Sequence, residues 1–372
     1  MDSLTINLNA HKIEYLASTG YLFDVYRDGN DNYTDGDKTI LTINGDGEIS
    51  TTGLYIANAG EGGKIIINGG KHITSGFTLY KSTGGKIEIN AGEFESTEPN
   101  IELYGLLGGN KANITVRGGK YLEWNPEDFV HEDYMTIYRN NYFEVGLPKS
   151  ENAGSNSDMK DALNDPFVTE INITGNIKTN NTDKTSNTYL EGIKVKQSVT
   201  IKGDGKKTIA AGGREDVNGK KIMNFAIHVD GPYDVILEDL YLTRAGIAAS
   251  GGATITVKNC RIDHSPGGTS RYAFYVEGGK ITIDENCIIN NSQKTSHGFI
   301  YAPMGEVIIL GGTWGGTYIP NTPFARGNDG YIIIKGGTFS VNPTNYLAEG
   351  YTAEKIGSNW VVSLDPNSSS EN

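Results

Sequence analysis

Hydrophobic residues along the chain recur in a short phrase, in which alternating apolar positions run into a glycine pair and then an aromatic residue. The phrase is most complete at 332–339, which reads IIIKGGTF. Other copies, one with Ala-Gly in place of the glycine pair, lie at 307–314, 114–121 and 87–94. Copies begin at a nearly constant period in the second half, at Ile255, Ile281, Val307 and Ile332, and at a less regular one in the first half, at Ile65, Ile87 and Ile114. Self-similarity at such a period predicts a stacked-repeat architecture.

Each copy predicts a short β-strand whose alternate side chains face one interior, because successive side chains of a strand point to opposite sides. The glycines that follow permit a sharp corner with positive φ. Further apolar runs lie between these strands at the same period, at 54–56, 77–80, 274–276, 299–301 and 324–325. Two or three strands per coil, with coils stacked about 4.8 Å apart, describe a parallel β-helix.

The repeated phrase, with its glycine corner and following aromatic residue, resembles the right-handed, pectate-lyase-like β-helix superfamily. More narrowly, it is similar to the Gly-Gly-Thr-Phe repeat proteins of bacterial surfaces and phage virions. The resemblance extends over nearly the whole chain. It implies an all-β fold, a right-handed parallel β-helix solenoid. It implies little about function, because the superfamily includes polysaccharide lyases and hydrolases as well as passive rods.

A second, longer repeat divides the chain into two tandem units. Proline and aromatic residues of the segment from Pro126 to Phe143 return at one constant offset, as Pro126/Pro343, Phe129/Tyr346, Tyr134/Tyr351 and Phe143/Trp360. Because a solenoid needs terminal elements that cover its open ends, these segments predict two C-terminal aromatic caps. We therefore expect a first unit at 1–146, a linker at 147–156, a second unit at 157–364 and a tail at 365–372.

The N-terminal ends of the two units differ. The second is predicted to begin with a capping helix at 157–163, with an N-cap at Ser157 and apolar positions at Met159 and Leu163. The first begins directly on a strand phrase at residues 4–8. An uncovered end exposes unpaired backbone groups, so we expect association there with an upstream segment, another subunit of a homo-oligomer or a virion neighbour. The alternative is that residues 1–3 and nearby loops cover the end.

Composition excludes several classes of partner. The formal net charge is −13 and the pI is near 5.0, which argues against nucleic acid, whose phosphates require a basic surface. No apolar run is long enough to cross a bilayer, so we expect no membrane insertion. The N-terminal sequence MDSLTIN lacks the features of a signal peptide. We expect an extracellular, cell-surface or virion protein, either a segment of an exported protein or one released by another route, such as phage lysis.

Two cysteines, Cys260 and Cys287, occupy the same predicted coil position one turn apart. We expect reduced, buried neighbours in an inward-facing ladder, because free cysteine is often fully buried. A disulfide is the alternative, although in-register parallel neighbours seldom orient their Cβ atoms for one. Asn44, Asn68 and Asn90 likewise share one corner of successive coils, and we expect a stacked amide ladder there.

An acidic loop at 26–38 contains Asp28, Asn30 and Asn32 at the spacing of a calcium loop. The EF-hand pattern then fails, because Tyr33 replaces the turn glycine and Thr39 stands where the bidentate glutamate belongs. The alternative is a solvated turn rich in Asx residues. Apart from this calcium alternative, no cofactor or metal is expected.

The densest polar stretch holds the residues from which an active site could be built: His228, Asp230, Arg244, Arg261 and Asp263. The superfamily resemblance implies that lyases need calcium-binding carboxylates and a basic residue, whereas hydrolases need paired carboxylates. The opposing interpretation is that outward positions of any β-helix are polar, and that neighbouring charges form weak surface pairs.

We therefore expect a non-enzymatic structural or recognition module, of the fibre, adhesin or capsid-decorating type, on a bacterial surface or phage virion. Its expected partner is a host-surface glycan or another surface or virion protein. The alternative is a polysaccharide lyase or glycoside hydrolase acting on acidic polysaccharide. Exposed tyrosines are the candidate groups for stacking on sugar rings, namely Tyr26, Tyr33, Tyr80, Tyr104, Tyr138, Tyr142, Tyr241, Tyr275, Tyr301 and Tyr318.

Overall fold

The computed structural model describes residues 2–16, 20–26, 39–52, 55–76, 78–81, 84–96, 107–109, 113–179, 190–211, 216–217, 220–221, 223–244, 246–264, 272–291, 298–316 and 322–366. Contacts within the chain group its residues into two compact units, Met1–Pro148 and Lys149–Asn372. Within the described residues, both units are built almost entirely of β-strands.

The described residues of the first unit form fourteen strands in two sheets. Their bounds are β1 Asp2–Asn7, β2 Lys12–Tyr15, β3 Tyr21–Val25, β4 Thr39–Asn44, β5 Glu48–Thr51, β6 Tyr55–Ala59, β7 Gly63–Thr74, β8 Leu79–Lys81, β9 Lys86–Ser96, β10 Leu107–Gly109, β11 Ile114–Val116, β12 Gly119–Leu122, β13 Met135–Arg139 and β14 Tyr142–Gly146. A 3₁₀ turn, Glu127–Phe129, precedes β13.

In the second unit, the residues that the structure describes form one helix, α1 Asn156–Asn164, and the remaining strands. Their bounds are β15 Lys149–Ala153, β16 Val168–Ile173, β17 Ile177–Lys178, β18 Leu190–Val195, β19 Val199–Lys202, β20 Thr208–Ala210, β21 Asp216–Val217, β22 Lys220–Lys221, β23 Met223–Asp230, β24 Asp234–Glu238, β25 Tyr241–Thr243, β26 Ile247–Ser250, β27 Thr254–Lys258, β28 Arg261–His264, β29 Tyr272–Ile283, β30 Ile288–Asn291, β31 Gly298–Ile309, β32 Thr313–Gly315, β33 Phe324–Ile334, β34 Gly337–Phe339, β35 Tyr351–Ile356 and β36 Asn359–Leu364. A second 3₁₀ turn, Thr344–Tyr346, precedes β35.

The repeated phrase forms parallel, in-register strands, as the sequence predicts. In the first unit Ile65 pairs with Ile87, which pairs with Ile114. In the second unit the same pairing runs through successive coils, from Ile255 to Ile281, Val307 and Ile332. All of these side chains are buried. Parallel sheets of this kind, with one apolar face turned inward, make the all-β solenoid core of each unit.

The two glycines of the phrase have different roles at its corner. A Cβ atom on Gly336 would lie 2.4 Å from the carbonyl oxygen of Leu310 in the preceding coil. Gly337 has a φ of +114°, a backbone conformation that side-chain-bearing residues rarely adopt. The first glycine therefore allows close stacking, and the second allows the turn.

Each unit ends in an antiparallel hairpin that follows a 3₁₀ turn. In the first unit β14 pairs with both β12 and β13, and in the second β36 pairs with both β34 and β35. Pro126 and Pro343 stand immediately before the two turns, with φ values of −81° and −94°. The matching geometry explains why proline and aromatic residues of the two segments recur at one constant offset.

The predicted linker at 147–156 differs from the structure, because much of it is strand. β15 pairs in parallel with β16 and contributes the buried Ala153 to the second unit. The predicted N-cap at Ser157 is also wrong. Ser155 caps the helix, because its hydroxyl accepts from the Asp158 N–H while the Asp158 carboxylate accepts from the Ser155 N–H.

Two predicted ladders are confirmed. The side chain of Asn90 donates to Asn68 at 2.8 Å, and Asn68 donates to Asn44 at 2.9 Å. The ladder continues one rung further, because Asn44 donates to Asn7 at 2.9 Å. Cys260 and Cys287 are free and buried, and the backbone N–H of Cys260 lies 3.4 Å from the Sγ of Cys287.

Candidate functional site

The five candidate residues fall into two groups on different sheets of the second unit. His228 and Asp230 lie on β23, in the eleven-stranded sheet. Arg261 and Asp263 lie on β28, in the nine-stranded sheet, and Arg244 follows β25 in that same sheet. The apolar residues between the members of each pair are buried, so the candidates point away from the core.

Asp263 is the acceptor at the centre of the second group. It accepts from Arg261 at 2.8 Å, from the Tyr241 hydroxyl at 2.5 Å and from the Asn290 amide at 2.8 Å. Burial raises the pKa of Asp263, but these hydrogen bonds outweigh it and hold the pKa below its usual value. Asp263 is therefore an ionised acceptor.

Arg261 is held in place by two residues of the same group, Asp263 and Tyr241. Its guanidinium lies 4.8 Å from the centre of the Tyr241 ring as well as against Asp263. The hydrogen bond to Asp263 raises the pKa of Arg261 above its already high value. A guanidinium held in this way stays protonated and is unsuited to accept an α-proton. Arg244 is exposed, and its backbone N–H donates to the Asp263 carbonyl oxygen at 3.0 Å.

His228 and Asp230 meet through Ser250 on the neighbouring strand β26. The Ser250 hydroxyl donates to Asp230 at 3.0 Å, and the His228 Nε2 lies 2.8 Å from the same hydroxyl. Because the single hydroxyl proton points to Asp230, Nε2 must donate to Ser250 rather than accept from it. A catalytic serine requires the opposite arrangement, with histidine accepting its proton. This chain of hydrogen bonds therefore orders the surface without activating Ser250.

Four aromatic rings lie beside these hydrogen-bonded residues, on the outward side of the same sheet. We call them the outer aromatic cluster: Phe225, Tyr272, Tyr275 and Tyr301. Ring centroids are 5.8 Å apart for Phe225–Tyr275, 5.7 Å for Tyr275–Tyr301 and 5.1 Å for Tyr272–Tyr301. The cluster is separate from the main core of the second unit.

Strand register explains how the cluster adjoins the hydrogen-bonded chain. His228, Ala248, Tyr275 and Tyr301 stand opposite one another on successive strands, so they form one outward row. Tyr275 donates to Glu277 at 3.1 Å, and Glu277 stands opposite Ser250 in the next row. Phe225 and Tyr275 are buried, whereas Tyr272 and Tyr301 are partly exposed. The surface therefore combines two accessible aromatic rings with the carboxylates of Asp230 and Glu277.

The predicted tyrosines have varied environments. Tyr26 and Tyr138 are exposed, Tyr142, Tyr241 and Tyr301 are partly exposed, and Tyr275 is buried. Outside the described residues lie Tyr33, Tyr104, Tyr318, the side chain of Tyr80 and the calcium-loop candidates Asp28, Asn30 and Asn32.

In the part of the chain that the structure describes, no group of three or more His, Cys, Asp or Glu side chains could hold a metal ion. Across those same residues, no helix is long and apolar enough to cross a membrane.

Comparison with known families supports the resemblance drawn from the repeats. Residues 150–301 match a family model described as a pectate lyase-like adhesive domain. This match, over less than half of the chain, confirms the likeness to the pectate-lyase-like β-helix superfamily and supports an adhesive β-solenoid module. The narrower likeness to Gly-Gly-Thr-Phe repeat proteins stays a prediction. No curated protein and no solved structure matches the chain significantly. The matched residues include the whole outer aromatic cluster.

Proposed function

We propose that the chain is a non-enzymatic adhesive module of a bacterial surface or virion protein, and that it binds glycans at the outer aromatic cluster. The observation that carries this proposal is a set of aromatic rings on the outward side of a solenoid sheet, edged by hydrogen-bond acceptors. Outward positions of a solenoid are ordinarily polar, and the partly exposed rings of Tyr272 and Tyr301 give this cluster an accessible apolar edge that a ligand can contact.

The chemistry of the cluster favours a neutral glycan. Tyr272 and Tyr301 offer ring surface for the apolar faces of sugars, and the carboxylates of Asp230 and Glu277 can accept from sugar hydroxyls. The same carboxylates would repel the uronates of an acidic polysaccharide, as would the net charge of −13. Neutral, hydroxyl-rich oligosaccharides are therefore the proposed ligands, ahead of a protein partner.

Three features support adhesion rather than turnover. Arg261 is committed to Asp263, and Ser250 directs its proton to Asp230 rather than to His228. Asp230 and Asp263 lie on different sheets and are held by separate hydrogen-bond partners, which does not favour the paired carboxylates of a glycoside hydrolase.

A glycan array tests the proposal, with neutral, amino-sugar and uronate oligosaccharides probed side by side. Retention of neutral glycans and exclusion of uronates is the expected result. Ultraviolet detection of unsaturated product on a panel of polyuronides with calcium, compared between the native protein and Arg261→Ala, tests the lyase alternative. Product formed by the native protein and lost in the variant would contradict the proposal.

A further inference from the structure

The aromatic cap of the first unit holds a recess of about 510 Å³, on the side of the β13–β14 hairpin that carries Phe143 and Val145. Val145 is buried in the core of the unit, and Phe143 packs against that core. We call this cavity the first-cap recess. Three aromatic rings and two carboxylates are among the groups that line it: Tyr134, Tyr138, Phe143, Glu127 and Glu132.

The rings of the first-cap recess remain accessible. Tyr138 and Phe143 stand opposite one another on β13 and β14, with ring centroids 4.6 Å apart. Tyr138 is nonetheless 57% exposed. Tyr134 is partly exposed and meets the His131 ring edge-on, with centroids 6.0 Å apart. Because the face of an aromatic ring carries negative potential, accessible rings attract a cation placed over them.

The charges of the first-cap recess act in the same direction as its rings. Glu127 and Glu132 are exposed carboxylates, and the Asn125 amide holds Glu127 by donating to it at 3.1 Å. The Asp133 carboxylate lies 3.4 Å from His131 Nδ1, so this pair adds no net positive charge even when the ring is protonated. No lysine or arginine is among the described residues that line the recess.

The nearest cations of the hairpin are held on its other side. Lys120 and Arg139 both lie against Glu144, at 3.7 Å and 3.3 Å. Glu144 follows Phe143 directly in β14, so the two side chains point to opposite sides of the strand. The first-cap recess therefore keeps a negative potential that these cations do not cancel.

The second cap shows that the fold does not require this chemistry. The two caps share the same 3₁₀ turn and hairpin, and Lys355 pairs with Trp360 as Tyr138 pairs with Phe143. Both Lys355 and Tyr138 are exposed. Three matched positions differ in a way that removes the ring and the charges: Glu127/Thr344, His131/Ala348 and Tyr138/Lys355.

Thr136 adds a polar group that the fold does not need either. It lines the first-cap recess, and its buried hydroxyl has no hydrogen-bond partner among the described residues, which costs stability. Ala353 occupies the matched position of the second cap. A polar group kept at a cost in stability is typical of a functional site.

We propose that the first-cap recess is a binding site for an organic cation, an ammonium group with apolar substituents. The cation would contact the rings of Tyr134 and Tyr138, and Glu127 and Glu132 would balance its charge. A small metal ion fits less well, because aromatic carbon cannot replace its shell of oxygen ligands. The site lies in the first unit, so it does not depend on the glycan site proposed for the second.

NMR titration of the full-length chain with tetramethylammonium tests the proposal, with tert-butanol as an uncharged probe of similar size. We expect tetramethylammonium to shift the ring signals of Tyr138 with millimolar affinity, as a small ligand with few contacts allows, and tert-butanol to leave them unchanged. Added salt should weaken the binding, because the carboxylates are exposed. Acetyl-lysine amide is the third probe. Binding of tetramethylammonium alone would identify a methylated ammonium, whereas binding of both cations would include lysine side chains, and either result supports the proposal.

Two variants carry residues that the second cap already holds at the matched positions, so both should fold. Tyr138→Lys should weaken tetramethylammonium binding by about tenfold or more, because it removes a ring and adds a positive charge. Glu127→Thr should weaken it by a smaller factor, because one carboxylate remains. Tyr26→Lys, at an exposed tyrosine outside the recess, is the matched control and should bind as the native protein does.

Three results would overturn the proposal. One is equal binding of tert-butanol and tetramethylammonium, because the recess would then recognise apolar volume rather than charge. Another is native affinity in a folded Tyr138→Lys variant, which would place the cation elsewhere. The third is an unchanged Tyr138 signal at every concentration of both cations.

Discussion

The imidazole ring of His72 stacks on the phenyl ring of Phe94, with centroids 4.9 Å apart and an interplanar angle of 16°. Phe94 stacks in turn on Tyr121. His72 is fully buried, and its Nε2 lies 2.9 Å from the carbonyl oxygen of Gly69, while its Nδ1 has no partner among the described residues. Burial lowers the pKa of His72 from 6.5 to about 4, against a smaller opposing effect of the hydrogen bond to Gly69.

His72 should make the first unit sensitive to acid. The folded state keeps the ring neutral, whereas the unfolded state takes up a proton as the pH falls below 6.5, so stability is lost between about 6.5 and 4. The loss should reach about 3 kcal/mol. In His72→Leu this loss should be absent, whereas His11→Gln, at an exposed histidine, should retain it. Urea unfolding at pH 7 and pH 4.5 measures the difference, and equal acid sensitivity in all three proteins would contradict the assignment.

The two cysteines should be unreactive in the folded protein. Burial raises the pKa of the Cys260 thiol to about 12 and raises that of Cys287 further, so neither forms the reactive thiolate near neutral pH. Thiol titration should detect almost no reaction under native conditions and two thiols after denaturation without reductant. If denaturation released no thiols, the pair would be a disulfide.

The hydrogen bonds around Asp263 should be visible in its titration. The pKa of Asp263 is held low by Arg261, Tyr241 and Asn290 against the effect of burial, so their stabilising contribution is present near neutral pH and is lost as the pH falls. Arg261→Gln should raise this pKa more than Tyr241→Phe does, because it removes a charge as well as hydrogen bonds. Carboxyl NMR titration of the variants tests the order. An unchanged Asp263 pKa in Arg261→Gln would show that the pair does not persist in solution.

The asparagine ladder should contribute to stability in proportion to the hydrogen bonds at each rung. Asn68 takes part in two ladder bonds and Asn90 in one. At about 0.5–1.5 kcal/mol for each bond, Asn68→Ala should lower the free energy of unfolding about twice as much as Asn90→Ala. Denaturant unfolding of the two variants provides the comparison. Equal losses would indicate that the amides bond to water rather than to each other.

The sequence predicted the stacking because coil length is nearly constant where the glycine phrase recurs. Ile281, Val307 and Ile332 therefore pair as their spacing indicates. The hydrogen bond from Ser250 to Asp230 was not predicted, because the coil that separates these two residues is shorter than the coils that carry the full phrase. One full period of the phrase, counted from Asp230, ends at a residue beyond Ser250, so the period alone does not place Ser250 beside Asp230. Only the register of β23 with β26 brings the two together.

The sequence pattern alone could not predict the outer aromatic cluster either. Phe274 and Tyr275 are adjacent aromatic residues, and alternation requires that one face inward and the other outward without indicating which. The structure resolves this choice, because Phe274 belongs to the main core and Tyr275 to the cluster. The capping serine was misplaced for a similar reason, since Ser155 and Ser157 both stand near the start of the helix and only Ser155 has an acidic residue three positions later.

Calorimetric titration of a neutral oligosaccharide selected from the array tests the central claim most directly, with Tyr301→Ala compared against Tyr331→Ala. Tyr301 belongs to the outer aromatic cluster, whereas Tyr331 is an exposed tyrosine elsewhere on the same sheet. We predict that Tyr301→Ala weakens binding by about tenfold or more, equivalent to about 1.4 kcal/mol, and that Tyr331→Ala leaves it unchanged. Equal affinity in both variants and the native protein would contradict glycan recognition at this cluster.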